Sequence, residues 1–147
     1  MTLLQKLEGG MTCATAKSLV DLGEAFGYLL KDGDIVALRG DLGVGKTTFT
    51  KGIAKALGIA DSVTSPTFNI MIQYIGMINL MHIDAYRLDD CECLEVWDYV
   101  QRPCVIVIEW PERLVELQKN ITHDLRITIR KNEKRWIILK MLNKKIL

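Results

Sequence analysis

Apolar positions recur with two different periods along the chain, and the periods assign the elements. Leu19, Leu22, Phe26, Leu29 and Leu30 fall at helical spacing, which predicts a helix over residues 14–30 that Lys31-Asp32-Gly33-Asp34 ends. Ile35-Val36-Ala37-Leu38 is a short unbroken apolar run, as in a strand buried on both faces of a parallel sheet. A glycine-rich loop and a second helix over about residues 46–57 follow it. Residues 68–74 and 78–83 read as two strands joined by a short turn at Ile75-Gly76-Met77, hence a hairpin. Cys104-Val105-Ile106-Val107-Ile108 is the most strand-like run, and residues 125–130 and 136–141 add two strands at the end. The first ten residues are expected to add an edge strand.

This order of strand, loop, helix and strand is an α/β pattern. It predicts a P-loop NTPase-like fold, with a largely parallel central sheet flanked by helices and antiparallel strands added at the edge. No repeats or Pro/Ser-rich linkers divide the 147 residues, so a single domain over 1–147 is expected. Apolar residues at 49% and charged residues at 25% exclude extensive disorder. Nineteen basic against eighteen acidic side chains argue against nucleic-acid binding through bulk charge, so contact with RNA would need another subunit. No apolar run reaches the about eighteen residues that cross a bilayer, and the start lacks a signal-peptide pattern, so a cytoplasmic location is expected. Cys91-Glu-Cys93 is too closely spaced for a usual zinc knuckle, and the four cysteines (Cys13, Cys91, Cys93, Cys104) read as reduced and structural.

The strongest chemical signal is Gly40-Asp41-Leu42-Gly43-Val44-Gly45-Lys46-Thr47, a complete G-x-x-x-x-G-K-[ST] pattern between a buried strand and a helix. Consecutive backbone N–H groups must converge on a phosphate there, and Gly40, Gly43 and Gly45 let the chain curl without a Cβ in the way. The positive end of the helix and the Lys46 ammonium offset the charge of the β- and γ-phosphates. The Thr47 hydroxyl is placed to ligate Mg²⁺, and Thr48 with the loop amides completes the cradle.

Such a loop needs an acidic partner at a neighbouring strand end, and two residues compete. Glu109 ends the apolar run 104–108, as a metal-binding carboxylate or an ordinary exposed strand-end acid. Asp84 ends Leu80-Met81-His82-Ile83. It could position the attacking water, accept its proton or bind the metal's water shell, or it could cap the turn before Tyr86-Arg87. Ser62-Val63-Thr64-Ser65-Pro66-Thr67-Phe68 lies where a γ-phosphate-sensing loop would be expected, although its hydroxyls also suit a plain turn. His82 and His123 stand alone and read as core or solvated histidines. Trp110 reads as core, or as packing near the site or a partner surface.

Taken together, Gly40-Asp41-Leu42-Gly43-Val44-Gly45-Lys46-Thr47-Thr48, Ser65-Pro66-Thr67-Phe68, His82-Ile83-Asp84-Ala85-Tyr86-Arg87-Leu88 and Ile108-Glu109-Trp110-Pro111-Glu112 resemble the TsaE (YjeE) family in order and spacing. The resemblance implies a small P-loop ATPase required for making N6-threonylcarbamoyladenosine in tRNA, with ATP and Mg²⁺ as cofactors. It implies TsaD and TsaB as partners and tRNA met only through their complex, the transfer chemistry belonging to TsaD. By position it implies that Lys46 and its loop (Asp41, Leu42, Gly43, Val44, Gly45, Thr47, Thr48) bind the phosphates, that Thr47 and Glu109 ligate Mg²⁺, and that Asp84 serves hydrolysis. It implies further that Ser65-Pro66-Thr67 is a switch-like loop and that Trp110 and Glu112 lie beside the nucleotide. Where the family usually reads S-x-E-E-T, this chain reads Thr15-Ala16-Lys17-Ser18-Leu19.

The expected function is therefore an ATPase of the tRNA-modifying assembly. A small-molecule kinase would use the same cradle but needs an Arg-bearing lid, and no Arg-rich stretch stands between Glu112 and His123. A non-enzymatic module, in which nucleotide only orders the 65–67 loop, is a third reading.

Overall fold

The structure, a computed structural model, describes residues 1–64, 71–87, 98–113 and 118–140. The expectations for Ser65-Pro66-Thr67, for Cys91 and Cys93, and for Met141 as the last strand residue lie outside the described residues.

Thr2 caps the first helix, α1 (Leu3–Gly9). Its hydroxyl accepts the Gln5 N–H while the Gln5 side chain accepts the Thr2 N–H. The expected strand over the first ten residues is thus corrected to a helix, with Leu7 buried and Leu3 and Leu4 packed on the core. The edge strand is the short β1 (Met11–Cys13), which follows Gly10. A second reciprocal cap, between Thr15 and Ser18, starts α2 (Ala16–Gly27) two residues later than the apolar pattern suggests. Among the described residues there follow β2 (Ile35–Arg39), α3 (Lys46–Ala56), β3 (Met71–Tyr74), β4 (Asn79–Asp84), β5 (Cys104–Glu109), β6 (His123–Ile129) and β7 (Arg135–Lys140), with 3-10 turns at Ala85–Arg87 and Pro111–Arg113.

The strands of the described residues join one seven-stranded sheet in the order β1-β7-β6-β2-β5-β4-β3. β6, β2, β5 and β4 run parallel, while β1–β7, β6–β7 and β3–β4 pair antiparallel, as the α/β pattern predicts. β6 begins at His123, ahead of the apolar run, because β2 pairs with it from Val36↔His123 onward. Period-two alternation sorts the central strands between two cores. Val36, Leu38, Leu80, Val105 and Val107 face α2 and α3, where Phe26, Phe49 and Ile53 are fully buried. Ile35, Ala37, Met81, Ile83, Ile106 and Ile108 form the second cluster on the other face. The two helices cross at Gly23 and Gly52, close enough that a Cβ on either would meet the other's backbone.

Cys13 and Cys104 are buried free thiols. Burial pushes the Cys104 thiol up to about 11, which leaves roughly one in a thousand as thiolate at pH 8. Iodoacetamide is expected to leave Cys104 unmodified in the native protein and to label it in guanidinium, as read by peptide mass mapping. Equal labelling in both would contradict this burial. No helix among the described residues is long and apolar enough to cross a membrane.

Candidate functional site

The loop between β2 and α3 turns on three glycines with positive φ: Gly40 (148°), Gly43 (82°) and Gly45 (113°). At Gly40 a Cβ would fall 2.5 Å from the Ile127 carbonyl oxygen, so only glycine lets the loop leave the sheet this closely. Val44 turns inward and is buried, while Asp41 and Leu42 are exposed at the crest. The Val44 N–H donates to the Asp41 carbonyl at 3.3 Å and closes the turn. Gly45 then caps α3 without a side-chain hydrogen bond, leaving the first-turn N–H groups without the usual side-chain acceptor.

Lys46, the first residue of α3, is only 5% exposed, which is unusual for an ammonium. Its Nζ donates to the Gly40 carbonyl at 2.7 Å, stands 3.9 Å from Glu109 Oε1 and lies 4.1 Å from the centre of the Trp110 ring. Burial holds its pKa below the ordinary lysine value, and Glu109, Glu112, Asp84 and Asp41 pull the other way. Trp110 reaches this position through a left-handed backbone (φ 58°), a conformation uncommon for a bulky residue. Its ring also packs edge-on against Tyr86 at 5.5 Å.

Glu109 and Asp84 are register partners at the ends of adjacent parallel strands, so both carboxylates reach the same edge of the sheet. Glu109 is 7% exposed, which removes the reading of an ordinary exposed strand-end acid. Asp84 is half-buried and accepts the Tyr86 N–H through Oδ1 at 3.0 Å, the turn cap that the sequence allowed. Glu112 is exposed, its Oε2 3.2 Å from Arg39, which itself grips Asp124 in a two-pronged contact at 2.8 and 3.1 Å. Thr47 and Thr48 line the loop's cleft, of about 200 Å³, together with Leu42, Gly43, Gly45, Lys46 and Glu109.

Three contributions were not anticipated from spacing. His82 is fully buried, as a core histidine should be, yet it does not stand alone: its Nε2 lies 2.7 Å from Glu109 Oε2. Arg135 on β7 donates from Nε to the Val44 carbonyl at 2.8 Å and from Nη1 to the Glu133 carbonyl at 2.6 Å, bracing the loop from 91 residues away. A second cleft of about 170 Å³ shares Gly43, Gly45 and Thr48 with the first and extends to Ala14, Thr15 and Arg135. No local motif announces the partnerships of His82 and Arg135, because strand pairing brings them to the site. Chemically, an uncapped helix start, a buried ammonium and two strand-end carboxylates suit a polyanion carried with a hard cation.

A buried strand, a glycine turn and an uncapped helix, with acidic residues ending the neighbouring parallel strands, define the P-loop class of α/β proteins. The family model described as "Threonylcarbamoyl adenosine biosynthesis protein TsaE" matches residues 13–137, and the chain belongs to the TsaE family. It is 40% identical over 126 residues to the tRNA threonylcarbamoyladenosine biosynthesis protein TsaE of Treponema pallidum, covering 80% of this chain and 92% of that one. The protein of the same name from Streptomyces coelicolor is 43% identical over 117 residues, 74% of this chain and 76% of its own. Among solved structures, YdiB of Bacillus subtilis superposes with a TM-score of 0.68 at 26% identity, covering 91% of this chain and 86% of that one.

Proposed function

We propose that the chain binds Mg-ATP and hydrolyses it as the ATPase of threonylcarbamoyladenosine synthesis on tRNA, working in the cytoplasm with TsaB and TsaD. The observation that carries this reading is the buried Lys46 ammonium at an uncapped helix start. Among the described residues, one of its donors goes to Gly40, and its other close neighbours are a ring face and a carboxylate 3.9 Å away. A terminal phosphate in the cleft would supply the acceptors such a charge lacks.

The donor set fits Mg²⁺ as well. Thr47 and Glu109 offer hard oxygens, while no group of three or more His, Cys, Asp or Glu side chains among the described residues forms a self-sufficient cage. A cation held by one or two protein oxygens, nucleotide phosphates and water is the usual arrangement for Mg²⁺. Thr47 and Glu109 would hold the ion, which when bound would supply positive charge to offset the negative charge developing on the phosphates. The chain's own residues do the rest: α3 N–H groups and Lys46 orient the phosphates, Glu109 faces the cation, and Asp84 holds the attacking water or takes its proton. The nucleoside would occupy the adjoining cleft beside Ala14, Thr15 and Arg135. With formal charge +1, the chain suits docking on a protein that itself holds the tRNA.

The test is steady-state hydrolysis of Mg-ATP by the pure protein, alone and with TsaB, TsaD and tRNA. Hydrolysis is expected to be slow alone and to rise with the partners. Asp84→Ala is expected to retain nucleotide affinity within about threefold while losing about a hundredfold or more in rate, the scale of a removed general base. Hydrolysis indifferent to the partners, with transfer of the phosphoryl group to a small hydroxyl compound, would replace this reading with a kinase. Full function without hydrolysis in Asp84→Ala would replace it with a nucleotide-ordered docking module.

A further inference from the structure

Among the described residues, the carboxylate of Glu109 is hydrogen-bonded from one side only. Its Oε2 lies 2.7 Å from His82 Nε2, while Oε1 looks toward the loop with Lys46 Nζ at 3.9 Å, beyond hydrogen-bond length. A carboxylate oxygen accepts, so the hydrogen of this contact sits on Nε2. The imidazole itself cannot shift to follow another partner: it is 0% exposed, it stands on β4 beside β5, and its register partner Val107 is fully buried. Among the described residues its Nδ1 has no hydrogen-bond partner, an unsatisfied buried polar atom that costs stability. A fully buried imidazole whose other nitrogen lies on a cleft carboxylate is placed to orient that carboxylate.

We propose that His82 is a positioning residue for Glu109: by occupying Oε2 it fixes the carboxylate's rotation, so that Oε1 is presented to the cation and kept off the lysine. The inference rests on the nucleotide-site reading above. Rotation of a glutamate about its last bond is otherwise nearly free. A buried carboxylate with no other hydrogen bond would turn to the nearest charge, which is Lys46 Nζ. That collapse would disable two parts at once, because the carboxylate would leave the cation and the ammonium would be diverted from the phosphates. His82 and Glu109 thereby form an outer-partner and ligand pair of the kind that tunes metal sites.

The experiment reads the Mg²⁺ requirement for binding a fluorescent, non-hydrolysable ATP analogue, with binding in EDTA as reference, for the full chain and its variants. His82→Leu keeps the bulk and removes the donor. It is expected to raise the half-saturating Mg²⁺ about tenfold, within the range for outer-shell partners, while EDTA binding weakens less. His82→Gln can place an amide N–H near the Nε2 position and is expected to stay within about threefold of wild type. Glu109→Gln is expected to show the same Mg²⁺ defect as His82→Leu. If His82→Leu does not fold, His82→Asn against His82→Gln decides, since the shorter amide falls short of Oε2 and only Gln restores the metal response. The proposal is overturned if the donor-lacking variants keep the wild-type Mg²⁺ requirement, or if Gln fails to rescue and binding with and without metal declines in parallel. Wild-type protein that binds no analogue at all would instead overturn the nucleotide-site reading itself.

Discussion

Lys46→Ala is expected to lower affinity for Mg-ATP about a hundredfold, equivalent to about 2.7 kcal/mol, and to cut hydrolysis at saturating nucleotide by a further hundredfold or so. The binding loss follows from geometry. The ammonium lies at the start of α3, 5% exposed and walled by Trp110, so its contact with a phosphate is made away from water, where a charge-assisted hydrogen bond is strongest. Cleavage suffers more because negative charge accumulates on the transferred group's oxygens only as the bond breaks.

The same substitution leaves the fold standing. Ala is a better helix former than Lys, and the chief intramolecular bond lost is the one to the Gly40 carbonyl. Burial disfavours the charged lysine in the free protein, so its removal relieves that cost while Glu109 keeps its contact with His82. Thermal unfolding should therefore begin within a few degrees of wild type without nucleotide, and the upward shift that Mg-ATP gives the wild type should vanish. Calorimetric titration and a thermal scan on the same preparations check both. Near-wild-type affinity in a folded Lys46→Ala protein would remove the lysine, and with it the cradle, from the proposed function.

Much of this site can be read without coordinates because its chemistry is local. Gly40 to Thr48 are consecutive, so their spacing carries the turn, the ammonium and the helix start together. Asp84 and Glu109 were legible for a related reason: each ends an apolar run, and parallel strands deliver their ends to one edge. The partnership of His82 with Glu109 was not legible, since it depends on a register in which His82 pairs with Val107, two residues before Glu109 on the same face. Nothing within either strand states that register. Arg135 bracing the Val44 carbonyl is hidden likewise, because β7 must first pair with β6 to bring the arginine near the loop. The N-terminal helix differs in kind. Thr2 and Gln5 stand at capping-box spacing with Leu3, Leu4 and Leu7 on one face, so the signal was present in the sequence and an edge-strand reading overlooked it.

Gly52→Ala is expected to destabilise the protein, although alanine is the better helix former by about 1 kcal/mol. A Cβ at this position would lie 2.1 Å from the Val20 carbonyl oxygen, 2.6 Å from the Glu24 nitrogen and 2.9 Å from the Gly23 carbonyl carbon. All three are backbone atoms of α2, so no side-chain rotation relieves the clash and the helices must move apart. Their separation would loosen the contact between Phe26 and Phe49, whose ring centres are 5.7 Å apart. Overpacking of this kind costs about 3 kcal/mol or more, leaving a net loss of about 2 kcal/mol, or on the order of 6 °C in Tm for a chain of this length. Lys51→Ala, one residue earlier and exposed, is the matched control and should stay within about 0.5 kcal/mol. Because α3 begins at Lys46, a shift of the helix also displaces the ammonium and the first-turn N–H groups, so nucleotide affinity should decline with stability in Gly52→Ala and remain intact in Lys51→Ala. Denaturant unfolding and nucleotide titration of the two variants measure this coupling. Wild-type stability in Gly52→Ala would show that the α2–α3 crossing yields without cost, and the cradle's position would then have to be fixed by β2 and Arg135 rather than by the helix pair.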